Sequence, residues 1–121
     1  MSKVIVLGSI NMDIVAFTKQ HPKVGETVLG TDFKYFPGGK GANQALASKK
    51  LGVNTLLVGN VGDDSFGNQL ISFFESQNLT FSVNKIKNVQ TGIGLITVST
   101  ETKNNTIVYI PGANKSVLPL A

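Results

Sequence analysis

Two short segments carry side chains able to bind a small polar molecule: Gly8-Ser9-Ile10-Asn11-Met12-Asp13 and Gly38-Gly39-Lys40-Gly41-Ala42-Asn43-Gln44. Asn11 and Asp13 lie two apart, so on an extended chain both project to the same side. The amide donates and accepts, while the carboxylate accepts through two oxygens. That combination suits a vicinal diol, whose hydroxyls each need an acceptor. In the second segment the glycines let the backbone run close to a ligand and expose consecutive N–H groups, with Asn43 in the first turn of a helix and its dipole behind. Polyols and anions both fit there. The spacing is not Gly-x-x-x-x-Gly-Lys-Ser/Thr, and Gln44 stands where Gly-x-Gly-x-x-Gly needs its last glycine, so binding of nucleotide phosphate or dinucleotide is rejected for this loop.

These segments follow elements that must hold them in place. Val4 to Leu7 is a run of branched apolar residues closed by Gly8-Ser9, the pattern of a strand covered on both faces and central in a sheet. Met12 to Thr18 and Glu26 to Phe36 read as strands with one wet face, separated by the loop His21 to Gly25. The Pro37–Gly41 stretch breaks regular structure, and a helix is expected over Ala42 to Leu51, with Ala42, Ala45 and Leu46 on one stripe and Gly52 as its stop. Thr55 to Val61 is a second buried strand. Gly62-Asp63-Asp64-Ser65 marks a helix start at which the two carboxylates act as caps. Phe66, Leu70, Phe73 and Phe74 then recur at helical spacing as a core stripe, the helix ending near Asn78. Ser82 to Ile86 is a further strand, and Thr91 to Ser99 with Thr106 to Ile110 forms a hairpin before Pro111-Gly112-Ala113-Asn114. The order points to a layered α/β core interrupted by extra strands, which can combine into a separate small sheet.

Composition narrows the function classes. The 121 residues are 41% apolar and 15% charged, a balance suited to one compact domain with a core. The net charge is +4, but all eleven basic residues are lysines spread along the chain. Without arginine there is no planar fork for guanine edges, so nucleic acid is not an expected partner. Cysteine is absent, which excludes thiolate chemistry, disulfides and Cys-based zinc sites. No segment reaches the length that spans a bilayer and the start does not resemble a signal peptide, so a cytoplasmic protein with no membrane partner is expected. His21 reads as an ordinary exposed loop residue, and Lys40 as solvated or near the anionic end of a ligand.

Taken with Pro22 to Thr27, Gly59 to Gly67, Thr91-Gly92 and Pro111 to Asn114, the two polar segments resemble the N-terminal hallmarks of ribokinases within the PfkB carbohydrate kinase family, along essentially the whole chain. The resemblance implies an α/β, ribokinase-like (Rossmann-like) layered core with a small β-sheet lid. The core is expected at 1–11, 37–86 and 112–121, incomplete at that point, and the lid at 12–36 and 87–111. It also implies that Asn11, Asp13 and Asn43 bind sugar hydroxyls, that Gly38, Gly39, Lys40 and Gly41 line the same pocket, and that Ile110 packs on the sugar, with 109 the other candidate for that contact. The implied reaction is ATP plus D-ribose to D-ribose 5-phosphate and ADP, with Mg2+ and a monovalent cation such as K+, in a homodimer joined through its lids. Another sugar or nucleoside kinase of the family, and a non-catalytic sugar-binding or dimerisation module, are the rival expectations. The family's ATP pocket, metal-side glutamate and catalytic aspartate in Gly-Ala-Gly-Asp are expected beyond residue 121, so no catalytic base is assigned here and the 121-residue chain alone is expected to be inactive. Leu118 to Ala121 stands where the family begins its next helix.

Overall fold

The computed structural model describes residues 3–116. Seven strands and two helices follow in the order β1 (Lys3–Leu7), β2 (Asn11–Thr18), β3 (Gly30–Gly38), α1 (Lys40–Lys50), β4 (Asn54–Gly62), α2 (Ser65–Ser76), β5 (Thr80–Ile86), β6 (Gly92–Ser99) and β7 (Asn105–Ile110), closed by a 3-10 turn at Gly112–Ser116. They form two sheets: a parallel one in the order β1-β4-β5 and a mixed one in the order β3-β2-β6-β7. Leu118 to Ala121, read above as the approach to a further helix, lies outside the described residues. Among the described residues no helix is long and apolar enough to cross a membrane.

The parallel sheet packs one face on the two helices. In register, Val6 stands beside Leu57, Leu57 beside Phe81 and Gly59 beside Val83, so these residues share the face that meets α1 and α2. Ala42 and Ala45 are fully buried, and their small side chains bring α1 close to the strands. Leu70 and Phe74 are the fully buried members of the α2 stripe, while Phe66 and Phe73 are half-buried at its flanks. Helical periodicity predicts the stripe; the curvature of the packing decides which members are sealed.

The structure departs from the expectations for β1 and His21. Among the described residues the Val4–Leu7 strand lies at the edge of its sheet, not in its middle, and β1 pairs only with β4. Ile5 is 62% and Leu7 52% exposed, because the face opposite the helices is uncovered among the described residues. A run of apolar residues reports the burial it suits, but position in the sheet depends on which neighbours are present. His21 is half-buried, with its Nδ1 3.2 Å from the Thr97 hydroxyl and its Nε2 enclosed without a partner, because the loop after β2 folds over β6.

One polar node ties the two sheets together at the start of α2. Asp64 is the N-cap, accepting from the Gly67 N–H at 2.8 Å, from the Thr91 N–H at 2.9 Å and from the Thr91 hydroxyl at 2.6 Å. The Gly62 N–H donates in turn to the Thr91 hydroxyl oxygen at 2.9 Å. Burial works to raise the Asp64 pKa, and the hydrogen bonds from Thr91 and Gly67 outweigh it, holding the carboxyl below its ordinary value. Asp63, beside it, is exposed and makes no cap. Asp64→Ala is expected to cost about 1–2 kcal/mol, read as a shift in the urea midpoint. Because the folded pKa is lowered, this stabilisation is present above the ordinary carboxylate value and is lost as pH falls through the folded one. The wild type and the variant should therefore converge in stability in acid.

Candidate functional site

The cavity lies where the mixed sheet meets the N-terminus of α1. β2 pairs with β6 in parallel, setting Asn11 beside Gly92 and Asp13 beside Gly94, and β6 pairs with β7, setting Gly94 beside Tyr109 and Ile96 beside Ile107. Residues in register share a face, so Asn11, Asp13, Gly94, Ile96, Ile107 and Tyr109 all look the same way. With Ser9, Gly39, Lys40 and Asn43 they line a cavity of about 510 Å³, within the usual size range for small-molecule sites.

The helix end of the cavity is built by the turn after β1. Gly39 caps α1 at φ 97°, a conformation that favours glycine. Ser9 then occupies two of the free helix donors: the Lys40 N–H donates to the Ser9 hydroxyl and the Ala42 N–H to the Ser9 carbonyl, each at 3.1 Å. With those donors engaged, the loop does not present the open row of N–H groups that cradles a phosphate chain. Asn43, exposed in the first turn, and Lys40, also exposed, contribute side chains instead.

Asp13 sits half-buried in a slot that two glycines open. A Cβ at Gly94 would lie 2.7 Å from the Asp13 Oδ1, and one at Gly38 would lie 2.6 Å from its Cγ. Burial pushes the Asp13 carboxyl above its ordinary pKa, with no hydrogen bond among the causes. Its oxygens are therefore a desolvated acceptor facing a cavity, which a hydroxyl donor would satisfy. The mouth beside it is apolar, formed by Ile96, Ile107 and Tyr109.

Of the residues expected to bind, Asn11, Asp13, Gly39, Lys40 and Asn43 line this one cavity. Gly38 and Gly41 lie behind its lining: the first clears space for Asp13, and the second lets α1 approach Gly8, where a Cβ would meet the Gly8 and Ser9 backbone. Ile110 is not brought in. It pairs with Ile93, which pairs with Met12, and so stands on the opposite face of the sheet. Tyr109 takes the position facing the cavity. Ser9, part of the first polar segment, lines it as well, and so do Gly94, Ile96 and Ile107, which sequence reading missed. The available signal was the Gly-x-Gly at 92 and 94, which matches in period the Asn-x-Asp at 11 and 13.

Gly94→Ala tests the slot. The obstructing atom is the end of a rotatable side chain, so the carboxylate turns aside while the strands keep their pairing. Expected are an unfolding midpoint close to wild type and, for a ligand whose hydroxyl donates to Asp13, an affinity about tenfold weaker, the factor for roughly one displaced hydrogen bond. A midpoint that collapses, or an unchanged affinity, would show that the slot does not hold the carboxylate.

Comparison with known proteins places this geometry in a family. The sequence matches the family described as pfkB family carbohydrate kinase over residues 1–120. A ribokinase of Lactococcus lactis is 45% identical over 120 residues, covering 98% of this chain and 39% of that protein. Among solved structures, a ribokinase from Giardia lamblia superposes with a TM-score of 0.87 at 33% identity, over 98% of this chain and 36% of its own. The Arabidopsis thaliana ribokinase complexed with ribose and ATP gives 0.80 at 33% identity, over 93% and 36%. The chain thus spans about two fifths of the length of the curated relatives it matches. With a ribokinase-like α/β fold and a family match along nearly its whole length, this chain belongs to the pfkB family of carbohydrate kinases.

Proposed function

We propose that this chain forms the sugar-binding portion of a ribokinase, the enzyme that transfers a phosphoryl group from ATP to D-ribose, giving D-ribose 5-phosphate and ADP. The observation that carries this reading is the convergence of Asn11, Asp13 and Asn43 on one cavity with an apolar mouth. Two amides and a desolvated carboxylate match the several hydroxyls of a pentose, and the apolar wall matches its C–H face. In this reading Asp13 accepts from sugar hydroxyls, Asn11 and Asn43 complete their hydrogen bonds, and Gly38 to Gly41 shape the floor. These residues bind and orient the acceptor, and no catalytic base is assigned among them.

The nucleotide enters the proposal through the relatives, one of which was solved with ribose and ATP. Mg2+ and a monovalent cation such as K+ belong to the same proposed reaction. The described residues do not fit a metal: they contain no group of three or more His, Asp or Glu side chains able to hold one. Phosphoryl transfer relies on charge stabilisation around the γ-phosphate, and no step of it is routed through this chain. A reaction on ATP and a free sugar accords with a cytoplasmic setting.

The strands at 12–36 and 87–111 are proposed as a lid over the sugar. Their sheet forms one wall of the cavity and carries exposed apolar residues on its far face, among them Phe33 and Val108. A lid-to-lid homodimer would cover such residues.

Calorimetric titration with D-ribose, 2-deoxyribose, fructose and adenosine tests the reading. Ribose is expected to bind most tightly. Tighter binding of fructose or adenosine would make the chain part of a different kinase of the family, and heat from none of the four would remove the sugar-binding reading.

A further inference from the structure

Asn114 stands outside the cavity lining, yet its carboxamide reaches the residue on which the site depends. It is 6% exposed and lies in the 3-10 turn after β7. The backbone N–H of Ile10 donates to its Oδ1 at 2.9 Å. A backbone amide only donates, so this contact determines which end of the Asn114 carboxamide is oxygen. Its Nδ2 must then face the other way, where it donates to the Asn11 Oδ1 at 2.7 Å, with the Ile10 carbonyl and the Tyr109 hydroxyl each at 3.2 Å. The Asn11 oxygen is thereby occupied, and the Asn11 NH2 is the end left for the cavity. Gly92 makes the meeting possible: a Cβ there would lie 2.6 Å from the Asn11 Oδ1 and closer still to the Asn114 Nδ2.

We infer that Asn114 is a positioning residue that sets the polarity of the sugar site, turning the Asn11 carboxamide so that it offers a donor beside the acceptor oxygens of Asp13. Its ligand rests on the sugar-binding reading above; its geometry does not. The consequence is chemical. A hydroxyl whose oxygen accepts from Asn11 can give its hydrogen to Asp13, so one hydroxyl, or two neighbours of a diol, meets a matched pair. If Asn11 were turned over, two acceptors would face the sugar side by side and each would require a hydroxyl hydrogen, and the pair would offer no donor to the hydroxyl oxygens. The orientation is inherited from a backbone N–H, through Asn114, over a sequence separation of 104 residues.

The test is hydrogen exchange of the side-chain amides in 15N-labelled protein, first without ligand. In the wild type the Asn114 NH2 protons are expected to exchange at least about tenfold more slowly than those of Asn11, since only the former are bonded inside the protein. The near-isosteric Asn114→Asp places a carboxylate against Asn11 and within reach of the Tyr109 hydroxyl, and of the Asn11 carboxamide only the NH2 end can donate to it. The Asn11 amide should then turn over, its exchange should slow by at least about tenfold, and its resonances should follow the titration of the new carboxylate. Ribose affinity should fall by about tenfold as the cavity donor is lost. An Asn11 amide already protected in the wild type, or one unmoved in a folded Asn114→Asp variant, overturns the inference. Should the variant not fold, the wild-type comparison of the two amides decides alone. A wild type that shows the exchange pattern but binds no sugar refutes the sugar reading and leaves the role of Asn114 intact; sugar binding without the pattern does the reverse.

Discussion

Asp13→Asn is expected to weaken ribose binding by about 30- to 100-fold, the scale of a hydrogen bond to a charged acceptor, without loss of folding. The carboxylate lines the cavity and is raised in pKa by burial, so in the free protein its charge is held at a cost. In the proposed site a sugar hydroxyl that donates to it would offset part of that cost, so the charged form would matter to binding. The asparagine variant keeps the volume, and so the slot between Gly38 and Gly94, but replaces one acceptor oxygen by a donor. It should therefore be as stable as the wild type near neutral pH, or more so. The sign follows from linkage: with the folded pKa raised, the folded state holds its proton longer than the unfolded one, and stability declines as pH rises from the ordinary carboxylate value through the folded one. The variant lacks that decline. Affinity runs the opposite way, falling as the pH drops through the raised value, at a higher pH than an ordinary carboxylate would give. Calorimetry across pH checks both trends, and an affinity in Asp13→Asn equal to wild type would sink the role assigned to the carboxylate.

Phe74→Ala should cost about 3–5 kcal/mol, a large part of the roughly 5–15 kcal/mol that stabilises a domain. The ring is fully buried and packs tilted on Phe73 and Phe81, with centroids 6.0 and 5.9 Å away. It joins α2 to β5, and the lost ring leaves a cavity that the surrounding β4, α2 and β5 residues fill only in part. Urea unfolding measures the cost. Phe73→Ala, at a half-buried position on the same helix, should cost distinctly less. Equal losses at the two positions would mean that the α2 stripe is not oriented as described. Since Phe74 is not among the residues lining the cavity, the ribose affinity proposed for it should not change in the residual folded fraction.

Much of the site was open to reading along the chain. The Asn-x-Asp at 11 and 13 announces two polar side chains on one face because strand alternation is a local property. The glycine-broken entry to α1 and the four-residue apolar stripe of α2 are local in the same sense, and both helices and the hairpin at 92–110 fall close to where periodicity puts them. Strand alternation also says that 109 and 110 face opposite ways, but not which of them meets the ligand. That depends on the register of β7 against β6 and of β6 against β2, which joins segments about eighty residues apart. The glycine at 94 reads along the chain as a flexible spot in a strand; only its position beside Asp13 makes it an opening for a carboxylate.

The same division holds for β1 and Asn114. Four consecutive apolar residues state that Val4 to Leu7 suits a buried strand, a matter of side-chain chemistry, whereas its place at the edge among the described residues follows from what pairs with it there. In the sequence Asn114 closes the Pro-Gly-Ala-Asn segment that carries part of the resemblance, with nothing to say what it touches, and it becomes the anchor of the site only when the turn after β7 folds back onto Ile10 and Asn11. Composition and period determined the elements, the polar face and the family's motifs, because each depends on neighbours within a few residues. Register, edge and hydrogen-bond direction were left to the tertiary structure, because each is the property of a pair of segments and not of either one.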